Sequence, residues 1–465
     1  MPWLSRWEPE DSRFWRTEGS RRAWLTLAVT TFSLVASFAT WFVFSAVVVR
    51  LPGIGFRFDT RQLFWLAAMP GLSAGILRAI HTFLVPIYGT RVTVTVATLL
   101  KLIPMLWLGL AIQDPATPYW HFLTMAFLCG MGGGDFSSFM PSTSMFFPKR
   151  LQGTAMGIQA GVGNFGVSLT QFVTPWIIGF PLLAACGSPQ SLVKGAESQA
   201  VWLQNAALWY VPYLVLAGIL CAVSLRSIGG KRPSVGEMLR NMTDNKHAWF
   251  CVITYVMTFG SFSGFSAAFP LMIKSIYGGF EGAPDPLKYA FLGPLVGSTA
   301  RVVGGPLADR FGGSVWTQLS GVGLIGGCLA LIFGGYLQPT SIDQFSGFLW
   351  VMLWIFLMAG IGNFATFRQY PIIFAFSPRQ GAQLLGWTGA MAAFGPFVFS
   401  TLIGESISRT GSAIPFFWGA LAFYAVASSI NYWYYTRRAG ERYDFGTWRG
   451  TWWDQAKATW PKDGK

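Results

Sequence analysis

Polar residues interrupt this chain only briefly. Between the interruptions lie twelve long apolar runs, at roughly 23–49, 62–86, 92–113, 120–147, 153–185, 206–226, 248–276, 288–308, 315–336, 346–376, 381–405 and 413–435. A helix that crosses a bilayer needs about 20 apolar residues, and every run reaches that length. Several exceed it, which predicts tilt or extension into a loop. The pattern predicts an all-α membrane protein of twelve transmembrane helices, with both ends of the chain on one side.

The runs repeat. RAIHTFLVPIYGTR (Arg78–Arg91) returns 223 residues later as RVVGGPLADRFGG (Arg301–Gly313), with Gly89 falling on Gly312. Gly134-Asp135-Phe136 returns as Gly362-Asn363-Phe364, an offset of 228. GIQAGVGNFG (Gly157–Gly166) returns as GWTGAMAAFG (Gly386–Gly395), an offset of 229. Nearly constant spacing implies a tandem duplication in parallel orientation. Two six-helix halves related in this way resemble the major facilitator architecture. The expected divisions are 1–226 (a half with an N-terminal arm), 227–247 (a linker), 248–436 (the second half) and 437–465 (a basic, Trp-rich tail).

Charge sharpens the picture. Charged residues make up 11% of the chain, about half the usual share, and the formal net charge is +14. The basic residues gather in the arm (Arg6, Arg13, Arg16, Arg21, Arg22), the linker (Arg226, Lys231, Arg232, Arg240, Lys246) and the tail (Arg437, Arg438, Arg442, Arg449). That is the positive-inside distribution. It places both termini in the cytoplasm, in an inner-membrane protein, and gives the charge a topological role rather than a nucleic-acid partner. No cleavable signal-peptide pattern opens the chain. The five cysteines are scattered and lack metal-ligand spacing. No nucleotide loop or nucleophile arrangement appears, so an enzyme, a metal and a cofactor are not expected.

Two features point to chemistry. Arg78 and Arg301 each lie about ten residues inside a run, where an arginine needs a partner or a wet cavity. Burial cannot discharge a guanidinium. The available carboxylates, Asp135, Asp309 and Glu405, are too few to pair with both. Two facing arginines would make a positive site at the repeat interface, and planar forks suit a small planar oxyanion. Asn164 is a lone amide among closely spaced glycines, including Gly161 and Gly163, and can donate to such an anion. Asp135 lies near Lys101 in the pattern of runs and has two readings, a structural salt bridge with Lys101 or Arg78, or a proton site. His81, on the same helix face as Arg78, can titrate. The loop GGPLADRFGG reads as a conformational latch, with Gly305 permitting close helix approach and Asp309-Arg310 forming the cap. The first copy lacks the Asp-Arg pair.

Arg78, GIQAGVGNFGVS, YVMTFGSFSGFSAAF and Arg301, with WEPEDSRFW, LPGIGF and TRQLFWLAAMPGLS, closely resemble the nitrate/nitrite porters of the major facilitators. The resemblance implies that Arg78 and Arg301 grip the anion and that Asn164 and Tyr255 donate to it. It implies too that Gly161 and Gly163 belong to a nitrate-signature helix, and that Phe38, Phe136 and Phe259 form an apolar collar. Run eleven, a short 10–11 connection, and the charges at Lys101 and Asp135 depart from the family pattern. The expected function is nitrate-for-nitrite exchange by a monomer through rocker-switch alternating access. Proton-coupled nitrate import is the alternative, and a carrier for another small anion a more distant one.

Overall fold

The computed structural model describes residues 3–182, 187–194, 197–229, 236 and 245–444. Helices dominate. The principal ones are α1 (Ser20–Trp41), α2 (Thr60–Leu100), α3 (Leu102–Ala111), α4 (Tyr119–Cys129), α5 (Phe136–Ser144), α6 (Lys149–Ile177) and α7 (Tyr210–Ser224). After the linker come α8 (Lys246–Tyr255), α9 (Ser261–Tyr277), α10 (Leu292–Val303), α11 (Gly305–Phe311), α12 (Gly313–Phe333), α13 (Gln344–Ile373), α14 (Pro378–Ala392), α15 (Gly395–Thr410) and α16 (Ile414–Asn431). Among the described residues, eight helical segments are long and apolar enough to cross a membrane.

One of those segments runs 52 residues, Thr60–Ala111. At 1.5 Å per residue it is more than twice the thickness of a hydrocarbon core. It is divided at Gly89, whose backbone is non-helical at φ 78°, ψ 163°. Gly312, its sequence counterpart, has nearly the same backbone at φ 87°, ψ 143° and separates α11 from α12. A residue with a Cβ adopts this region only with strain, so the two glycines fix the turn at equivalent points of the repeat. Gly89 is also hemmed in, because a Cβ there would meet the Ser227 side chain at 2.4 Å.

Two expectations need correction. The fifth helix ends at Ile177 rather than near 185, and residues 183–186, including Cys186, lie outside the described set. The chain is not purely helical. An antiparallel hairpin, β2 (Gln190–Lys194) with β3 (Glu197–Val201), follows that helix. A short parallel pair joins β1 (Trp3–Leu4) to β4 (Ser227–Ile228). Both gather backbone groups at the ends of helices, where apolar patterning gives no strand signal.

The arm, the two ends of the linker and the start of the tail share one face. β1–β4 ties the arm to residue 227. Glu441 receives Lys246 Nζ at 2.7 Å and lies 3.0 Å from His247 Nε2. Arg442 donates to the Ile373 carbonyl at 2.9 Å and covers the Phe374 and Phe376 rings. The Asp444 carbonyl accepts from Ser314. Residues 445–465 lie outside the described set, as do most of 230–244.

On the opposite face, ion pairs join the part before the linker to the part after it. Arg50 grips both oxygens of Asp285, at 2.8 and 2.6 Å. Arg61 meets Glu405 at 2.5 Å, and Lys274 donates to the Val49 carbonyl at 2.6 Å. Deeper in, Gln171 donates to the Ser266 carbonyl at 2.8 Å. The four described cysteines, Cys129, Cys221, Cys251 and Cys328, are free and buried.

Candidate functional site

Glycines bring the helices of the site together. A Cβ at Gly132 would lie 2.0 Å from the Ser37 carbonyl, and one at Gly166 2.3 Å from the Val35 carbonyl. α1 therefore packs backbone-to-backbone against both neighbours, as small residues permit between membrane helices. The same contact recurs after the linker, where Gly360 would meet the Gly297 carbonyl and Gly395 the Gly260 carbonyl, each at 2.3 Å. This tight frame holds long side chains in the centre.

Arg78 projects from α2 and is fully buried. Its Nε donates to the Gly133 carbonyl at 2.8 Å, and Nη1 to the Gly389 carbonyl at 2.6 Å. Gly389 lies on α14, so Arg78 reaches from the first part of the chain to the second. Its Nη2 has no protein acceptor. Arg301, on α10, is 7% exposed, and neither Nη atom has an acceptor. Among the described residues no carboxylate pairs with either arginine. Of the three carboxylates that the sequence offered, Asp135 is paired with Lys101 and Glu405 with Arg61. The side chains of Asp309 and Arg310 lie outside the described set.

Phe259 stands between the two arginines. Its ring centroid is 5.2 Å from the Arg78 guanidinium carbon and 5.9 Å from that of Arg301. The two charges are thus no more than about 11 Å apart. At an effective dielectric near 20, two like charges at that distance repel by roughly 1.5 kcal/mol. Aromatic faces offset part of the burial, each by about 0.5–2 kcal/mol. Phe136 faces Arg78 at 4.8 Å and Trp41 at 5.5 Å, and Phe367 faces Arg301 at 4.8 Å. Tyr255 stacks on Phe259 at 5.5 Å and lies in the field of both arginines. Its hydroxyl, and both polar atoms of the fully buried Asn164, lack a protein partner.

The structure thus brings together Arg78, Arg301, Tyr255, Phe136 and Phe259. Phe38 stands behind, stacked on Phe136 at 6.1 Å. Gly161 and Gly163 are packing seats, since the space beyond them is filled by Val302 and Leu34, with approaches of 2.5 and 2.7 Å. Gly305 does not have the close-approach role expected of it. A Cβ there would meet nothing within 4 Å among the described residues, whereas one at Gly304 would collide with the Phe364 ring at 1.9 Å. Sequence reasoning missed Trp41, Phe367 and the carbonyls of Gly133 and Gly389. Aromatic residues are frequent throughout the runs, and a carbonyl acceptor leaves no trace in residue type.

The profile of the Major Facilitator Superfamily matches residues 29–374. The probable nitrate/nitrite antiporter NarK2 of Thermus thermophilus is 54% identical over 442 residues, which cover 95% of this chain and 98% of the relative. The chain belongs to the nitrate/nitrite porters of the major facilitator superfamily. The nitrate/nitrite transporter NarU of Escherichia coli is 36% identical to this porter, over 94% of the porter and 96% of the relative. The nitrite extrusion protein of Bacillus subtilis is 25% identical, over 88% and 93%. These relatives are transporters by name, and the porter's family is one of carriers rather than enzymes.

Proposed function

We propose that the porter exchanges nitrate for nitrite across the bacterial inner membrane, holding one anion at a time between Arg78 and Arg301. The observation that carries this reading is the arrangement around Phe259. Two guanidinium groups within about 11 Å of each other present N–H donors with no protein acceptor. A planar monoanion between them would take bidentate charge-assisted bonds. The free amide of Asn164 and the Tyr255 hydroxyl supply further donors. The aromatic surround disfavours strongly hydrated anions, whose remaining shell it cannot replace.

Alternating access follows from the same charges. The chain works as a monomer of twelve helices, two six-helix halves that rock about the site, with both termini in the cytoplasm. Contacts of the arm and tail with the two ends of the linker support a shared side for the termini. Without an anion, bringing the halves together concentrates positive charge, and the empty carrier returns slowly. With an anion bound, the repulsion is offset and closure proceeds, which makes exchange obligatory. The loop of Asp309 and Arg310 serves as the latch at the inner face.

Proteoliposomes test this directly. Labelled nitrate should enter vesicles loaded with nitrite much faster than vesicles loaded with an inert anion. Arg78→Lys or Arg301→Lys should abolish the difference. Equal entry into both kinds of vesicle, without a proton gradient, would overturn obligatory exchange.

A further inference from the structure

The end of α6 carries an aromatic face away from the anion site. Phe172 and Trp176 are four residues apart and so lie on one side of the helix, and Phe180 stands just past its end. These rings are 45%, 64% and 54% exposed. Across from them lie Leu287 and Lys288, in the turn Pro286–Tyr289, and Phe291, just before α10. A groove of about 480 Å³ runs between the two sides, a size usual for sites that hold a small ligand. Phe172 and Phe291 join the sides, edge to face with ring centroids 4.9 Å apart. Gly179 leaves the space free, because a Cβ there would meet only the Trp176 carbonyl, at 3.3 Å.

The groove is apolar except at one point. Lys288 is the one charged residue that lines it. It is exposed, and among the described residues its ammonium has no hydrogen-bond or ion-pair partner. Asp285, three residues earlier, is taken through both oxygens by Arg50. Glu281 is exposed and does not line the groove. Lys274 donates to the Val49 carbonyl, beside Arg50 in the chain. Arg50, Lys274 and Lys288 outnumber Asp285 and Glu281, so this corner is positive. A soluble anion has no use for the rings, and an uncharged apolar ligand has none for the lysine. An amphiphile with a phosphate head and a hydrocarbon chain matches both. The position suits it, since tryptophans and long basic side chains gather where acyl chains meet headgroups.

The groove also straddles the join between the two parts of the chain. α6 precedes the linker, whereas the turn and α10 follow it. The turn starts at Asp285, which accepts from the Leu287 amide at 3.1 Å and pairs with Arg50 across the join. A lipid seated here touches both parts at once. Parting them at this face would split its site, so the lipid favours the closed arrangement.

We propose that this groove binds an anionic glycerophospholipid, with its phosphate on Lys288 and an acyl chain along Phe172, Trp176 and Phe180. The lipid acts as a clasp between the two parts of the chain. The site makes no demand on the identity of the transported anion.

The test reconstitutes full-length porter into vesicles containing phosphatidylglycerol or phosphatidylcholine with a photoreactive acyl chain, and maps the labelled residues by mass spectrometry. With phosphatidylglycerol, labelling around Trp176 and Phe291 should exceed that at Leu110 and Phe333 at least fivefold. Those two are 67% and 74% exposed and lie outside the groove. Lys288→Gln should bring phosphatidylglycerol down to the level of phosphatidylcholine, and Lys288→Arg should not. Gly179→Leu, which fills the groove and keeps the lysine, should lower labelling by both lipids to that of Leu110. In detergent, added phosphatidylglycerol should raise the melting temperature of wild type more than phosphatidylcholine does, and Lys288→Gln should abolish the difference. Labelling no stronger in the groove than at Leu110, or unchanged in Lys288→Gln, would overturn the site. Labelling on one side of the groove alone, or an equal thermal shift in wild type and Lys288→Gln, would overturn the clasp. Loss of groove labelling as porter density in the vesicles rises would assign the groove to a second copy of the chain and overturn the lipid reading.

Discussion

Asp285→Asn isolates the charge that, on the proposed topology, joins the two parts of the chain at the outer face. Asp285 does two things. It receives both contacts from Arg50, and it caps the short turn Pro286–Tyr289 by accepting from the Leu287 amide at 3.1 Å. Asparagine caps as well as aspartate, so the substitution removes the ion pair and spares the turn. Arg50 and Asp285 retain only 12% and 17% of their side-chain exposure. At an effective dielectric near 20 a contact pair gains about 4 kcal/mol, and desolvation and a residual neutral hydrogen bond reduce the difference to about 2 kcal/mol. That corresponds to roughly a 30-fold shift in population toward the outward-open form.

Ser45 offers a reporter, because it is buried five residues before Arg50 and accepts from Gln171 Nε2 at 2.9 Å. With the native cysteines replaced, Ser45→Cys should react with a membrane-impermeant maleimide from outside ten- to a hundredfold faster once Asp285→Asn is added. Arg50→Gln should have a similar effect, and the two together little more than either alone. Unchanged labelling, or additive effects of the two substitutions, would refute an inter-half gate at this pair.

Removing Lys101 alone by Lys101→Ile should destabilise the porter by about 3–5 kcal/mol, because a buried carboxylate is left uncompensated. Adding Asp135→Asn should recover most of that loss, read as the melting temperature in detergent. Asn164→Ala should weaken nitrate binding roughly tenfold in calorimetry, as expected for one donor to an anion at about 1.5 kcal/mol, without lowering the melting temperature. The Glu441 carboxyl is held down to about 2 by the hydrogen bonds from Lys246 and His247. Its contribution to stability is therefore complete above its ordinary 4.5 and fades as pH falls from there toward 2. Glu441 is half exposed, so Glu441→Gln should shift the melting temperature at pH 7 only slightly, and the variant should show less acid sensitivity than wild type in that window.

The helices were legible because lipid leaves a single option for a spanning backbone; the run around Arg78 carried that signal cleanly, whereas the run around Arg301 is a helix of only 12 residues, Leu292–Val303, short of a spanning length. Arg78, Arg301 and Asn164 were conspicuous for a related reason, as polar groups where polarity is expensive. The roles of glycines were not legible. Gly304 and Gly305 are adjacent and chemically identical, and only the position of Phe364 separates them. Likewise nothing in the sequence pairs Arg50 with Asp285, 235 positions away, or brings His247 to Glu441. Those contacts depend on how helix ends meet, which apolar periodicity does not encode. Lys101 and Asp135 fell between these cases. Their charges stood out, but the pairing of Lys101 with one oxygen of Asp135, which leaves Oδ1 without a donor, is a matter of geometry.

The contacts at the two faces have a kinetic consequence. Among the described residues, the ion pairs beside the arm and tail, Lys246–Glu441, His247–Glu441 and Arg368–Asp444, stay within the part of the chain after the linker. Those at the opposite face, Arg50–Asp285 and Arg61–Glu405, cross from one part to the other. A passive exchanger cannot choose a direction of flux, since the gradients set that. It can, however, have a preferred waiting side. On the proposed topology the described stitches hold the outer side closed, so the porter dwells open to the cytoplasm; internal anion then meets a carrier already facing it, while external anion waits for the stitches to part. The concentration giving half-maximal exchange should therefore be lower for the internal anion than for the external one, even for the same ion on both sides.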